Sequence, residues 1–365
     1  MSELITTSAG TNIRLHLLAT VSALSLLTVA ATPAFADSAD RPTVWIELGG
    51  QLERISSPSQ SFAPDFIGKN ADSPAFQPAS PLQSQRSPRY AKGFDGTLTF
   101  QPSGSDWSVS AAILYGRANG NKEVHQQTAG ILQVVPGIAP GPSFIKNYSN
   151  TLAEHRESHA VLDFKVGKDV GFGIFGTSGA TTIDMGVRFA QFSARTNVDL
   201  RLRPEIKMKG LYQFKYWHTY GASLDRSASF HGIGPSLSLN NTANLVGDAD
   251  DGGLSFDWGV NAAVLFGRQK VAAAHTTSSR YFRGPLFAYT PGHSQDHATR
   301  RSRSVVVPNL GGFAGLSVRY AAAKFSLGYR ADFFLGAMDT GIDRRKTENM
   351  SFHGPFARVS IGLGG

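Results

Sequence analysis

From Leu254 to Gly267 every second residue is apolar, through Leu254, Phe256, Trp258, Val260, Ala262, Val264 and Phe266, while Ser255, Asp257, Gly259, Asn261 and Ala263 between them are small or polar. A period of two marks a strand with one apolar face. The run is longer than the usual strand of a soluble sheet, and at about 3.3 Å per residue it crosses a bilayer core even when tilted by about 45°. This is the pattern of a transmembrane barrel strand, with its apolar face on lipid and the other in the lumen.

The alternation recurs over Thr43 to Arg54, Phe94 to Gln101, Trp107 to Arg117, His155 to Val166, Thr181 to Arg203, Tyr216 to Leu239, Val307 to Tyr320, Lys324 to Met338 and Asn349 to Leu363. The connections between these segments are short and long in turn. Pro102-Ser103-Gly104-Ser105-Asp106 is dense in turn formers, whereas residues 55–92, 118–154, 204–214, 269–304 and 339–348 read as long extracellular loops. The expected fold is all-β, a transmembrane antiparallel up-and-down β-barrel over residues 37–365. It has about ten strands, with eight or twelve left open, and both ends on the periplasmic side.

The start of the chain bears on location. Leu15 to Ala30 is an apolar run preceded by Arg14 and followed by Pro33-Ala34-Phe35-Ala36. Small residues at Ala34 and Ala36 fit a signal-peptidase site, so residues 1–36 are expected to be a signal peptide removed before Asp37. No later apolar run reaches about 18 residues, so no helix of the mature chain is expected to span a membrane. Export without such a helix, together with the strand pattern, points to the outer membrane of a Gram-negative bacterium. The chain has no cysteine, which excludes disulfide scaffolds, cysteine nucleophiles and thiolate metal sites. Trp107, Tyr115, Trp258, Phe266, Tyr320 and Tyr329 fall near strand ends or on outward faces, where amphipathic rings suit the two membrane interfaces.

Gly186-Val187-Arg188-Phe189-Ala190, Phe230-His231-Gly232-Ile233-Gly234-Pro235 and Gly354-Pro355-Phe356-Ala357-Arg358-Val359, in this order and spacing, resemble the outer-membrane barrels related to the major outer membrane protein of Legionella. The resemblance covers mainly residues 155–365. It implies a surface-exposed β-barrel with porin-like behaviour. A disulfide-linked assembly, which the cysteine-bearing type of that family has, does not carry over to a chain without cysteine. The last segment runs into Leu363-Gly364-Gly365 where many outer-membrane chains have an aromatic, yet Ala357, Val359, Ile361 and Leu363 still supply a lipid-facing strand.

Alternation assigns Glu47, Asp163, Lys165, Asp184, Arg188, Asp225, Asp257, Arg319, Arg330, Asp332 and Arg358 to the lumen, six acids facing five bases. Near-balance suits a filled, salt-bridged interior, because unpaired charge in a confined space costs several kcal/mol. The alternative is that Lys165, Arg188, Arg319, Arg330 and Arg358 share one wall and leave a polar path for small anions. The net charge of +8 therefore resides mostly in the loops. Arg280, Arg283, Arg300, Arg301 and Arg303 crowd one, and Arg344, Arg345 and Lys346 occupy another, with Arg201, Arg203, Lys207 and Lys209 in a hairpin between. On the cell surface their natural partners are outer-membrane lipid and the phosphates of lipopolysaccharide. Export argues against nucleic acid despite the basic composition.

No catalytic motif emerges. Gly-x-Ser-x-Gly is missing, and His293 with His297 has helical metal spacing in a Pro-Gly stretch that is not helical. His155, Ser158 and His159 at a strand mouth have no evident orienting acid. The chain is expected to be no enzyme and to hold no metal or cofactor. Two functions fit. One is a structural or porin-like barrel allowing passive diffusion of small solutes, although open channels usually need about 16 strands. The other is a surface-display or adhesion barrel with a filled lumen, whose loops bind lipopolysaccharide or a host ligand.

Overall fold

The computed structural model describes residues 43–56, 90–132, 143–170, 179–207, 215–247, 252–282, 293–320 and 322–363. The expected leader at 1–36 and the centres of the long connections, Arg283 among them, lie outside the described residues.

Ten strands form: β1 (Thr43–Ser56), β2 (Ala91–Gln101), β3 (Trp107–Leu132), β4 (Ser143–Asp169), β5 (Gly179–Lys207), β6 (Lys215–Val246), β7 (Gly253–Phe282), β8 (His293–Tyr320), β9 (Ala323–Asp339) and β10 (Thr347–Leu363). Each pairs antiparallel with its sequence neighbours, and β1 pairs with β10 to close the barrel, Val44 lying opposite Leu363. Closure leaves no free sheet edge at that level among the described residues, so the strand backbones are paired around the whole circumference. Short turns gather at the end where β1 begins and β10 finishes. In one of them Gly104 takes φ +61°, which a side chain resists, and Ser105 N donates to Pro102 O at 3.2 Å.

At the opposite, loop end the strands run on where loops were expected. β3 and β4 stay paired up to Leu132 opposite Ser143, β5 and β6 up to Lys207 opposite Lys215, and β7 and β8 up to Ser279 opposite His293. Residues 118–132, 143–154, 204–207, 269–282 and 293–304 are thus hairpin wall. The ladder satisfies the backbone there without any apolar requirement on the side chains, which is why the sequence pattern fades while the strand persists.

The wall reverses its polarity partway along. In its lower part the apolar residues face out: Ile183, Met185 and Val187 on β5, Ile233 and Leu237 on β6, Val260, Val264 and Phe266 on β7, Leu316 and Val318 on β8. This exposed belt is the lipid-facing surface of a membrane barrel. Above it the outward positions of β5 are Gln191, Ser193, Arg195, Asn197 and Asp199, while Ala190, Phe192, Ala194 and Val198 turn in and are buried. Likewise Ala222, Leu224, Ala228 and Phe230 of β6 point inward, and Ser223, Asp225, Ser227 and His231 outward. Water replaces lipid outside, so the apolar face moves inside.

β9 departs from the wall at this level. The β8–β9 ladder covers Asn309–Tyr320 only, opposite Ala323 to Phe334, and above Asn309 β8 pairs with β7 alone among the described residues. At Gly336, φ +67°, the chain swings inward, and Ala337, Met338, Asp339, Thr340 and Gly341 are buried. The connection expected at 339–348 does run between β9 and β10, and it folds over the lumen as a cap.

Candidate functional site

Inward-facing side chains fill the barrel in three layers. The first, level with the outer apolar belt, is ionic and amide. Arg188 of β5, 1 % exposed, grips Asp163 of β4 through Nε to Oδ1 and Nη2 to Oδ2, both 2.7 Å. Its Nη1 donates to Asn261 Oδ1 at 2.7 Å and also to Asn309 Oδ1. A planar guanidinium with four of its five N–H donors engaged is fixed in place. Around it stand Lys165 with Asp163 at 3.5 Å, Arg330 with Asp332 at 2.7 Å, and Arg358 with Asp95 at 2.7 Å and Glu47 at 3.5 Å. Asp184 accepts from Asn240 Nδ2 at 2.6 Å, and Asp257 pairs with Lys324 at 2.7 Å. Arg319 sits at the turn end, 5.3 Å over the ring of Trp45.

Among the expected lumen charges Asp163 meets Lys165 and Arg188, Arg330 meets Asp332 and Arg358 meets Glu47. Asp184, Asp257 and Arg319 face inward too but contact Asn240, Lys324 and Trp45, and Asp225 does not face inward. That residue lies above the belt on the outer face, exposed and paired with Arg195 at 2.9 Å, because there the wall turns its polar residues to water. Asp95 and Lys324 were missed although the alternation of their strands puts them on the inner face. Asn261 lies on the lumen face that the alternation of Leu254 to Gly267 gave it, whereas Asn240 and Asn309 carry no charge and nothing in the sequence singles them out.

The second layer is apolar. Phe192 (β5), Phe230 (β6), Phe334 (β9) and Phe352 (β10) are fully buried and meet at the centre. Ring centroids are 5.7 Å apart for Phe192 and Phe230, 4.6 Å for Phe192 and Phe334, and 5.6 Å for Phe334 and Phe352. Ile55, Leu114, Val161, Leu265, Val307 and Met350 pack with them. One pair of ionisable groups lies within this layer. His159 stacks on Phe352 at 4.0 Å, and its Nε2 is 3.4 Å from Glu53 Oε2, both side chains 0 % exposed. Gly93 and Gly116 leave the space that Glu53 occupies, since a Cβ on either would meet its carboxylate at 2.0 or 2.1 Å.

The third layer is the cap and its ties. Arg226 of β6 donates to Thr340 O, and Gln269 Nε2 to Gly336 O at 2.7 Å. Arg301 of β8 donates to the carbonyls of Gly341 and Ile342, each at 2.7 Å, and approaches Asp339 at 3.4 Å. Burial pushes the Arg226 guanidinium down to about 10, against the pull of Glu348, Glu157 and Asp339. It remains a cation at neutral pH.

The basic residues expected in loops divide. Arg301 is spent on the cap, and Arg280 stands near the end of β7. Arg300, Arg303, Arg344, Arg345 and Lys346 are exposed. Arg300, Arg301, Arg303 and Arg345 converge on a cleft of about 440 Å³ beside Gln269 and Asp339. Next to it a cleft of about 790 Å³ opens where β8 has lost β9, with Arg268, Arg303 and Arg345 at its rim and Phe189, Ile233, Phe266 and Val306 along its floor. The expected interface aromatics Trp107, Tyr115, Phe266, Tyr320 and Tyr329 are all exposed on the outer wall, and Trp258 is half-buried there. Tyr329 Oη lies 2.6 Å from His353 Nδ1.

These features define a closed ten-stranded antiparallel β-barrel with an exposed apolar belt and a packed interior. No protein-family model and no curated protein matches the chain. Among solved structures, two of TodX align over 91% of both chains at 7% identity: a deltaS2 mutant of the monoaromatic hydrocarbon channel, at a TM-score of 0.16, and the toluene transporter of P. putida, at 0.17. Likeness at that level carries no information about what this barrel does.

Proposed function

We propose that the chain is a porin-like outer-membrane barrel of a Gram-negative bacterium, closed at rest, whose loop end presents a basic cleft to the lipopolysaccharide leaflet. The observation that carries this reading is the buried aromatic layer of Phe192, Phe230, Phe334 and Phe352 across the lumen, beneath a tied cap. Passive diffusion of solutes would require that layer to part. Ten strands enclose little more than their own side chains, in keeping with a filled barrel. The reversal of the wall supports a membrane level at the apolar belt, with the tall hairpin wall above it in water, as a surface-display protein needs. The resemblance of Gly186 to Ala190, Phe230 to Pro235 and Gly354 to Val359 to the Legionella-type family points the same way.

Planar-bilayer recording on the refolded full chain tests closure. Stable insertion without steady conductance steps is the expected result. Steady, weakly anion-preferring steps at low voltage would overturn it.

A further inference from the structure

His275 of β7 and His297 of β8 stand directly opposite each other in the β7–β8 ladder, on its inward face at the loop end, with ring centroids 5.3 Å apart. The cap brings a third group to them. Asp343 Oδ1 lies 3.0 Å from His275 Nε2 and 3.0 Å from His297 Nδ1. All three ligand atoms fall within 4.8 Å of one another. The sequence hides this constellation, since His297 is paired across a ladder rather than along a helix, and the acid arrives from a connection after the next strand.

We propose that His275, His297 and Asp343 form a divalent transition-metal site that clamps the cap to the barrel wall. Two imidazole nitrogens and one carboxylate oxygen are the donor set of a three-ligand zinc site with water in the fourth position. Ligands about 2.0–2.2 Å from a tetrahedral zinc are roughly 3.3 Å from each other, so the two nitrogen–oxygen separations need to open by only a few tenths of an ångström. Nitrogen donors select zinc, copper or nickel over calcium and magnesium, which take oxygen. The ladder fixes the backbones of both histidines opposite each other, so binding has to adjust only side-chain rotamers and the Asp343 end. Arg301 already holds the neighbouring Gly341 and Ile342 carbonyls, and a metal on Asp343 would add a fastening on the far side of the same turn. The site does not depend on whether the lumen conducts.

The experiment uses the untagged full chain refolded in micelles and Zn²⁺ as the probe. Titration calorimetry is expected to give one Zn²⁺ per chain, with affinity falling roughly tenfold or more in His297→Ala and in Asp343→Asn. Arg344, Arg345 and Lys346 follow Asp343 and are exposed, so trypsin reads the clamp directly. Zn²⁺ should slow cleavage after these residues in the wild type and leave cleavage of Asp343→Asn unchanged. Asp343→Asn lies in the cap and leaves both ladder histidines in place, so it keeps the test valid should a histidine variant fail to refold. Absence of Zn²⁺ binding, or binding undiminished in both variants, would overturn the site; binding without protection would overturn the clamp.

Discussion

Phe192 on β5 and Phe334 on β9 meet edge to face, 4.6 Å between ring centroids, across an interior that a wider barrel would leave to water. The contact joins non-adjacent staves, so it holds the wall together through its middle as well as around its circumference. Edge-to-face rings contribute about 0.5–1.5 kcal/mol beyond the area they bury.

Phe334→Ala should therefore cost about 3–5 kcal/mol, as large-to-small changes at closed aromatic sites do. Phe334→Leu should cost less, because it leaves a smaller cavity. Urea titration of the refolded barrel, followed by tryptophan fluorescence, reads both. Equal midpoints for Phe334→Ala and wild type would mean that the aromatic layer does not hold the fold.

The cap gives a different readout. Arg301 supplies two carbonyl bonds and faces Asp339, so Arg301→Ala should loosen the cap while leaving the barrel folded. Tryptic cleavage after Arg344 or Arg345 is expected to accelerate several-fold, with the unfolding midpoint shifted far less. Gly336→Ala should act in the same direction, since a side chain at φ +67° is strained by about 1–2 kcal/mol. Cleavage unchanged in both variants would show that the cap is held by other contacts.

The strands were legible because lipid forces one face of each to be apolar, as Leu254 to Phe266 displays. The upper halves of β3, β4, β7 and β8 were not, whereas Thr181 to Arg203 and Tyr216 to Leu239 read as long strands in the sequence itself. Above the belt the apolar face changes sides, as β5 shows with Gln191, Ser193, Arg195 outward and Phe192, Ala194 inward. Parity alone placed Arg188, Asp163 and Arg358 inside, whereas their pairing with Asn261, Asn309 and Asp95 depends on which staves lie within reach across the lumen. The cap was illegible for a similar reason. Its inward turn at Gly336 is tied by Gln269 and Arg301 from strands distant in sequence, and a connection with three basic residues reads as exposed when taken alone.

Lipopolysaccharide binding should track the basic cleft rather than overall charge. Arg303→Ser with Arg345→Ser removes two rim cations shared by both clefts, and is expected to weaken association with lipopolysaccharide micelles about tenfold at low salt. Neutralising Arg195 and Arg201, which lie on β5 away from those clefts, should change it little. The contrast should shrink as salt rises, because exposed charges are screened. Equal loss in the two double variants would reduce the cleft to a general electrostatic surface.

Glu53 and His159 offer the sharpest test of the interior. They are fully buried, 3.4 Å apart, in a layer otherwise apolar. Removing one partner leaves a polar group without its counterpart, and breaking a buried pair in this way typically costs about 3–5 kcal/mol. Removing both eliminates the stranded group, so Glu53→Leu with His159→Phe should be less destabilised than the sum of the single variants. The phenylalanine keeps a flat ring against Phe352, on which the imidazole now stacks at 4.0 Å, and so separates loss of the Glu53–His159 contact from loss of packing. Unfolding free energies of the four proteins close a double-mutant cycle. A coupling energy near zero would mean that Glu53 and His159 are tolerated independently, each by the cavity around it, and that Gly93 and Gly116 make room for a carboxylate that needs no partner.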